Sequence, residues 1–216
     1  MKYSLAIFDL DGTILDTLDD LTDAVNFALE RHGFPPHNRD RIRQTIGNGV
    51  ANLIRRSVPE ETSDAETAAV LDDFRAHYAA HVNVKTKPYP GVVEMLKTLR
   101  DAGILIGVNS NKFDAATQAL CASHFSGLYD FAFGESERTP KKPDPTAALR
   151  MMEAARVSPK QTIYIGDSGV DLTTAKNAGC DCAWVSWGFR HADEMRDFAL
   201  PRAFDEVEAL EAFLLG

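Results

Sequence analysis

Short apolar runs recur along the chain at wide intervals, each closed by a turn residue or an acid. They fall at residues 5–8, 105–108, 162–165 and 182–185. Runs this short, apolar at consecutive positions, read as strands buried on both faces. Between the later ones lie stretches of helical periodicity, at 92–102, 113–121, 145–155 and 172–178. Strands alternating with helices predict βαβ units and a parallel sheet. Gly103 and Gly179 each stand between a helical stretch and a strand, where a C-terminal cap is expected.

The interval between the first strand and the next is too long for a single crossover. Within it, Leu18, Leu21, Val25, Ala28 and Leu29 make a helical stripe over 18–31. Two more helical stretches fall at 49–56 and 65–81, and no strand pattern occurs among them. The pattern predicts an α/β core of residues 1–15 and 86–216, carrying an inserted all-helical subdomain of residues 16–85. Lys87-Pro88-Tyr89-Pro90-Gly91 reads as the stiff hinge that returns the chain to the sheet.

Composition narrows the partners. Apolar residues make up 44% of the 216, enough for a proper core, so disorder is excluded. The net charge of −9, without any run of Lys or Arg, argues against nucleic acid or an anionic membrane as partner. Any positive charge that an anionic substrate needs must then be local. No stretch is long and apolar enough to span a bilayer, and the first acidic turn comes too early for a signal peptide. A cytoplasmic protein, monomeric or homodimeric, is the expectation. Cys121, Cys180 and Cys182 fit reduced thiols, and Cys180-Asp181-Cys182 lacks zinc-ligand spacing. Among the histidines only His77 and His81 are spaced to share a helix face, and no third ligand accompanies them.

The candidate chemistry sits at strand ends. Asp9 and Asp11 close the first apolar run, and two carboxylates there are costly unless a cation stands between them. Ser110-Asn111-Lys112 follows the second run, Lys142 lies in Lys141-Lys142-Pro143-Asp144-Pro145, and Asp167 and Asp171 follow the third. In an open parallel sheet the carboxyl ends of the strands are where ligands bind. Taken singly, each has a plainer reading. Asp9-Leu10-Asp11-Gly12 is an acidic turn, Lys142 a solvated lysine, and Ser110-Asn111 or Asp167-Ser168 a helix cap. Four such placements in order make the plain readings jointly improbable.

In that order the segments resemble the haloacid dehalogenase superfamily, whose phosphatases carry DxDGT, then Ser or Thr, then Lys, then GDxxxD. The resemblance covers the whole chain. It implies a Rossmann-like core, Mg²⁺ as cofactor and a phosphoryl group passing through an aspartyl-phosphate. It implies Asp9 as nucleophile and Asp11 as acid/base. Asp9, Asp167 and the backbone carbonyl of Asp11 would be the metal ligands. Gly12, Thr13, Ser110, Asn111 and Lys142 would hold the phosphoryl group, with Lys142 also counted as catalytic. Asp171 would orient Lys142 or a metal-bound water.

Asp11 argues for a phosphate ester over an alkyl halide, because only the ester needs a proton on its leaving group. A β-phosphoglucomutase-like phosphotransferase is a rival, but the segment after the first motif, Asp16-Thr17-Leu18-Asp19-Asp20-Leu21, lacks the histidine usual there. Ile46-Gly47-Asn48-Gly49 is similar to a segment of phosphoglycolate phosphatases, as are residues 19–26 and Tyr89-Pro90-Gly91-Val92. A cap loop at Gly47, Asn48 and Gly49 would then meet the leaving group; a plain helix–helix turn is the equal alternative. Arg43, Arg55 and Arg56 either hold a substrate carboxylate or are solvated helix residues. The expected activity is Mg²⁺-dependent hydrolysis of a small phosphorylated metabolite, 2-phosphoglycolate first. Other small esters or pyrophosphate stand behind it, and a non-catalytic binding module is the remaining class.

Overall fold

The computed structural model describes residues 2–46, 49–198, 200 and 202–216. In chain order the elements begin with β1 (Leu5–Phe8) and β2 (Leu15–Asp16). Four helices follow: α1 (Leu18–Arg31), α2 (Arg39–Thr45), α3 (Val50–Ser57) and α4 (Asp64–His81). Next come β3 (Lys87–Pro88), α5 (Val92–Asp101), β4 (Leu105–Phe113), α6 (Asp114–His124), β5 (Phe131–Glu135) and α7 (Thr146–Ala155). The chain ends with β6 (Thr162–Gly166), α8 (Gly169–Ala178), β7 (Asp181–Val185), β8 (Ala203–Phe204) and α9 (Val207–Leu215). It divides into two compact units, residues 1–16 with 88–216 and residues 17–87.

The larger unit is built on a six-stranded parallel sheet of order β5-β4-β1-β6-β7-β8, and β2 and β3 form a separate two-stranded ladder. Every residue of β1 and of β6 is buried, which is why both read as unbroken apolar runs. Leu5 and Ile7 of β1 pack with Tyr164 of β6, Met151 and Met152 of α7, and Ala175 of α8. Phe8 lies opposite Val108 on one side and Ile165 on the other. From β1 the chain steps outward through β4 and β5, then crosses back to β6, β7 and β8. The strand order therefore reverses beside β1, and ligands of such sheets bind at that point, past the carboxyl ends. Asp9 follows β1 there, and Asp167 follows β6.

The smaller unit is all-helical. Leu18, Leu21, Val25, Ala28 and Leu29 of α1 are buried, as are Val70, Phe74 and Tyr78 of α4. Asp20, buried in the first turn of α1, accepts the backbone N–H groups of Val84, Lys85 and Thr86 at 3.0, 2.9 and 2.8 Å and the Thr86 hydroxyl at 2.8 Å. This carboxylate ties the start of α1 to the segment that follows α4.

The two-residue strands β2, β3 and β8, and three longer elements, have no counterpart in the sequence pattern. β5 is an edge strand whose burial alternates, so it carries no continuous apolar run. α2 has Ile42 as its single apolar residue and so no stripe. α9 has a stripe at Val207, Leu210 and Leu214, but it is short and follows a long irregular stretch.

Candidate active site

Three buried carboxylates meet past the ends of β1 and β6. Oxygens of Asp9, Asp167 and Asp171 lie within 4.8 Å of one another. One ammonium answers them: Lys142 Nζ is 2.7 Å from Asp9 Oδ1 and 2.7 Å from Asp171 Oδ1. The local fold fixes each group. Asp9 Oδ1 also accepts the Leu10 N–H at 2.7 Å. Asp171 stands in the first turn of α8, where its Oδ2 accepts from Ser168 N–H (3.1 Å) and Oγ (2.6 Å) in a capping box. Its cap role and its contact with Lys142 are thus both present. Asn111 holds the lysine's loop, its Oδ1 accepting Lys142 N–H at 2.6 Å and its Nδ2 donating to Lys142 O at 3.2 Å.

The cluster is short of positive charge. Burial, reinforced by the Asp171 and Asp167 charges against Lys142, pushes the Asp9 carboxyl well above the usual carboxylate range. Burial and Asp171 push Asp167 up to about 7, opposed by the Phe189 amide. Burial alone would lower Lys142, but Asp171 and Asp9 outweigh it and hold the lysine charged. Ionised together, three carboxylates against one ammonium would leave two negative charges uncompensated, which is why burial raises two of them. An all-oxygen set with that deficit suits a hard divalent cation such as Mg²⁺.

Asp11 belongs to a second grouping. Its carboxyl is outside the cluster of three, with Oδ1 3.0 Å from Lys112 Nζ and Oδ2 accepting from Ser110 Oγ at 3.3 Å. Gly12 turns the chain with φ of +84°, and a Cβ there would come within 2.6 Å of Asp167 Oδ2, so the turn and the carboxylate leave room only for glycine. The expected backbone donors near Gly12 are already engaged: Gly12 N–H donates to Leu15 O at 2.9 Å and Thr13 N–H to Leu10 O at 3.3 Å. The Thr13 hydroxyl, by contrast, is buried without a partner among the described residues.

Sequence reasoning gave no role to Lys112 or to the stretch after β7. Trp184 Nε1 donates to Asp167 O at 2.7 Å, and Phe189 N–H donates to Asp167 Oδ2 at 2.6 Å. Trp187 donates through Nε1 to Thr13 O at 3.0 Å. These three groups fix Asp167 and the acidic turn from one side. The signal for Lys112 was its place two residues after Ser110 in a strand, which puts both side chains on one face. The signal for Trp184 to Phe189 was only their position at and just beyond the end of β7.

Of the residues expected in the helical unit, Gly47 and Asn48 lie outside the described residues. Gly49 caps the start of α3. Arg43 is buried, and its Nε donates to Asp40 Oδ1 at 3.0 Å. Arg55 and Arg56 line a cavity of about 590 Å³ within this unit, together with His37, Arg41 and Glu60. Arg55 donates to Thr62 O at 2.9 Å.

Residues 6–185 match the family model of haloacid dehalogenase-like hydrolases. A phosphoglycolate phosphatase of Cereibacter sphaeroides is 38% identical over 216 residues, covering 97% of this chain and 98% of its own. Phosphoglycolate phosphatase 1 of Pseudomonas aeruginosa is 34% identical over 212 residues, covering 95% of this chain and 78% of its own. Among solved structures, that of a candidate phosphoglycolate phosphatase from Lactobacillus delbrueckii subsp. bulgaricus superposes with a TM-score of 0.95 at 35% identity, over 100% of both chains. On the strength of the family match and of full-length relatives above 30% identity, the chain belongs to the haloacid dehalogenase-like hydrolases.

Proposed function

We propose that the protein is a phosphomonoester hydrolase that uses Mg²⁺ and forms an aspartyl-phosphate on Asp9, with 2-phosphoglycolate as its substrate. The observation that carries this reading is the buried carboxylate of Asp9 at the end of β1, paired with Lys142 at 2.7 Å and grouped with two further acids. The names borne by its full-length relatives support the substrate.

Asp9 attacks phosphorus, and the bond from phosphorus to the ester oxygen breaks. The Asp11 carboxyl gives its proton to the departing oxygen. It then takes one from the water that attacks the acyl phosphate, releasing inorganic phosphate and restoring Asp9. Lys142 balances charge growing on the phosphoryl oxygens, and the Thr13 hydroxyl donates to them; the Ser110 hydroxyl, turned toward Asp11 in the free protein, would swing its one proton to a phosphoryl oxygen when the ester binds. A buried Thr13 hydroxyl without a partner is costly in the free protein, and a phosphoryl oxygen would satisfy it. Asp9 and Asp167 would hold Mg²⁺ through their carboxylates and Asp11 through its backbone carbonyl, with Asp171 beside them. When bound, the ion offsets repulsion between the nucleophile and the phosphate dianion. The helical unit 17–87 acts in this reading as the cap that selects the leaving group.

The test is initial phosphate release from a panel of small esters and pyrophosphate, with Mg²⁺ and with chelator, for the wild type and Asp9→Asn. Metal-dependent release with a strong preference for 2-phosphoglycolate, lost in Asp9→Asn with the fold retained, is the expected result. Broad, weak release would reject the substrate and keep the hydrolase. Turnover by Asp9→Asn would sink the aspartyl-phosphate, and an isomerised sugar phosphate in place of free phosphate would make the protein a mutase.

A further inference from the structure

Lys112 is buried, and its ammonium lies 3.0 Å from Asp11 Oδ1. Two residues earlier on β4, Ser110 Oγ donates to Asp11 Oδ2 at 3.3 Å, and the Lys112 N–H donates to the same Oγ at 3.1 Å. Both oxygens of one carboxyl are therefore held by neighbouring residues of one strand. The strand is irregular there: the register between β4 and β5 shifts between Asn109 and Phe113. Irregularities of this kind re-aim side chains beside active sites.

Stability alone does not account for this pair. Taking an ammonium out of water beside a half-buried carboxylate carries a desolvation penalty, and a well-packed apolar pair often does as well or better. Nor does the metal cluster account for it, because Lys142 already answers Asp9 and Asp171, and Asp11 is outside that cluster. What the pair does is help fix the rotamer of the Asp11 carboxyl. An acid/base works only when its proton lies within hydrogen-bond reach of the reacting oxygen, and a displacement of about 1 Å costs on the order of 100-fold.

We infer that Lys112 is the positioning residue for the Asp11 carboxyl, keeping it aimed at the ester oxygen that leaves. The inference rests on the acid/base reading of Asp11. It has a signature that packing would not produce, namely dependence on the leaving group. An alkoxide must be protonated as it departs, whereas a nitrophenolate leaves without a proton. Loss of Lys112 should therefore weigh on alkyl esters far more than on p-nitrophenyl phosphate.

The experiment compares kcat/KM for 2-phosphoglycolate and for p-nitrophenyl phosphate, with Mg²⁺, in the wild type, Lys112→Met, Asp11→Asn and the double variant. This parameter covers the chemistry only through departure of the leaving group, so the later hydrolysis of the acyl phosphate does not blur it. Lys112→Met should lower the ratio of alkyl to aryl kcat/KM by at least ~10-fold, part of the ~100-fold or more that a general acid supplies. Asp11→Asn should lower it further, and adding Lys112→Met to Asp11→Asn should change it little, because the lysine acts through the acid. Lys112→Gln, which keeps a donor of similar reach, replaces the methionine variant if that one does not fold. Equal losses on both esters, or fully additive losses in the double variant, would overturn the role of Lys112. An Asp11→Asn variant with an unchanged ratio would instead overturn the acid/base reading of Asp11, and the inference with it.

Discussion

Gly188 offers a sharp test of how Asp167 is held. A Cβ at this position would overlap the carbonyl oxygen of Gly12 and the Cβ of Asp167, and would lie 2.6 Å from Asp167 Oδ2. Ordinary contact begins near 3.4 Å. If the carboxylate yields, it must move by about 0.8 Å, and the other two clashes involve backbone and a side-chain root that no rotamer change relieves. That movement also pulls Oδ2 off the Phe189 amide, now at 2.6 Å. Gly188→Ala should therefore lose roughly 1–3 kcal/mol of stability through overpacking. It should weaken Mg²⁺ binding by about 10- to 100-fold, the usual cost of disturbing a ligand's support. Isothermal titration of the chelator-stripped protein with Mg²⁺ measures the second effect, and a thermal melt of the same sample the first. Wild-type affinity together with a wild-type melting temperature would refute the packing of the 184–189 stretch against Asp167 as the device that orients this acid.

Asp167, pushed up to about 7 by burial, has a folded-state pKa above that of the unfolded chain. The native state then binds more protons than the unfolded state between the two values, so metal-free stability should fall as pH rises from 5 to 8. Asp167→Asn should flatten that fall and remove the stabilisation by Mg²⁺; calorimetry in chelator and in Mg²⁺ at both pH values checks this, and parallel slopes would count against it. Asp20→Ala leaves the N–H groups of Val84, Lys85 and the buried Thr86 without their acceptor and should cost roughly 1–3 kcal/mol, read from the urea midpoint, with a change under ~0.5 kcal/mol disproving the tie. Burial pushes the Cys121 thiol up to about 12, so at pH 8 iodoacetamide should label it only after denaturant is added; rapid labelling at Cys121 in the native protein would contradict its burial.

Legibility in the sequence followed burial. β1 and β6 are apolar at nearly every position because both of their faces are covered, and so they stand out as runs. The acids at their ends stand out for the same reason, since Asp9 and Asp167 break an apolar stretch. α1 and α4 announce themselves by a stripe. β5, with its alternating burial at the sheet edge, and α2, with one apolar residue, offer nothing comparable. The site's supporting contacts were the least legible part. Trp187, Trp184 and Phe189 act on Thr13 and Asp167 across 17 to 174 positions of sequence, through a backbone oxygen or a backbone N–H. Nothing in the identity of those residues marks that use. Lys112 was hidden differently, beside a serine and an asparagine with clearer roles.

The two lysines divide the site into halves with different charge balance. Around Lys142 stand three carboxylates, and the deficit of two charges is the kind that a divalent cation makes good. Around Lys112 stands Asp11, one ammonium to one carboxylate, and that half is balanced without an ion. The division fits the two tasks. A nucleophile facing a phosphate dianion needs compensation that arrives with the substrate and the metal. An acid/base has to be in place throughout, since it gives a proton in one step and takes one back in the next. β4 serves both halves. Asn111 fixes the loop of Lys142 by two hydrogen bonds, while Ser110 and Lys112, on the strand's other face, fix Asp11. In the proposed reaction three consecutive polar residues near the end of β4 would set the geometry of both proton and phosphoryl transfer, so changes at Asn111 should fall on phosphate binding and changes at Lys112 on the leaving group.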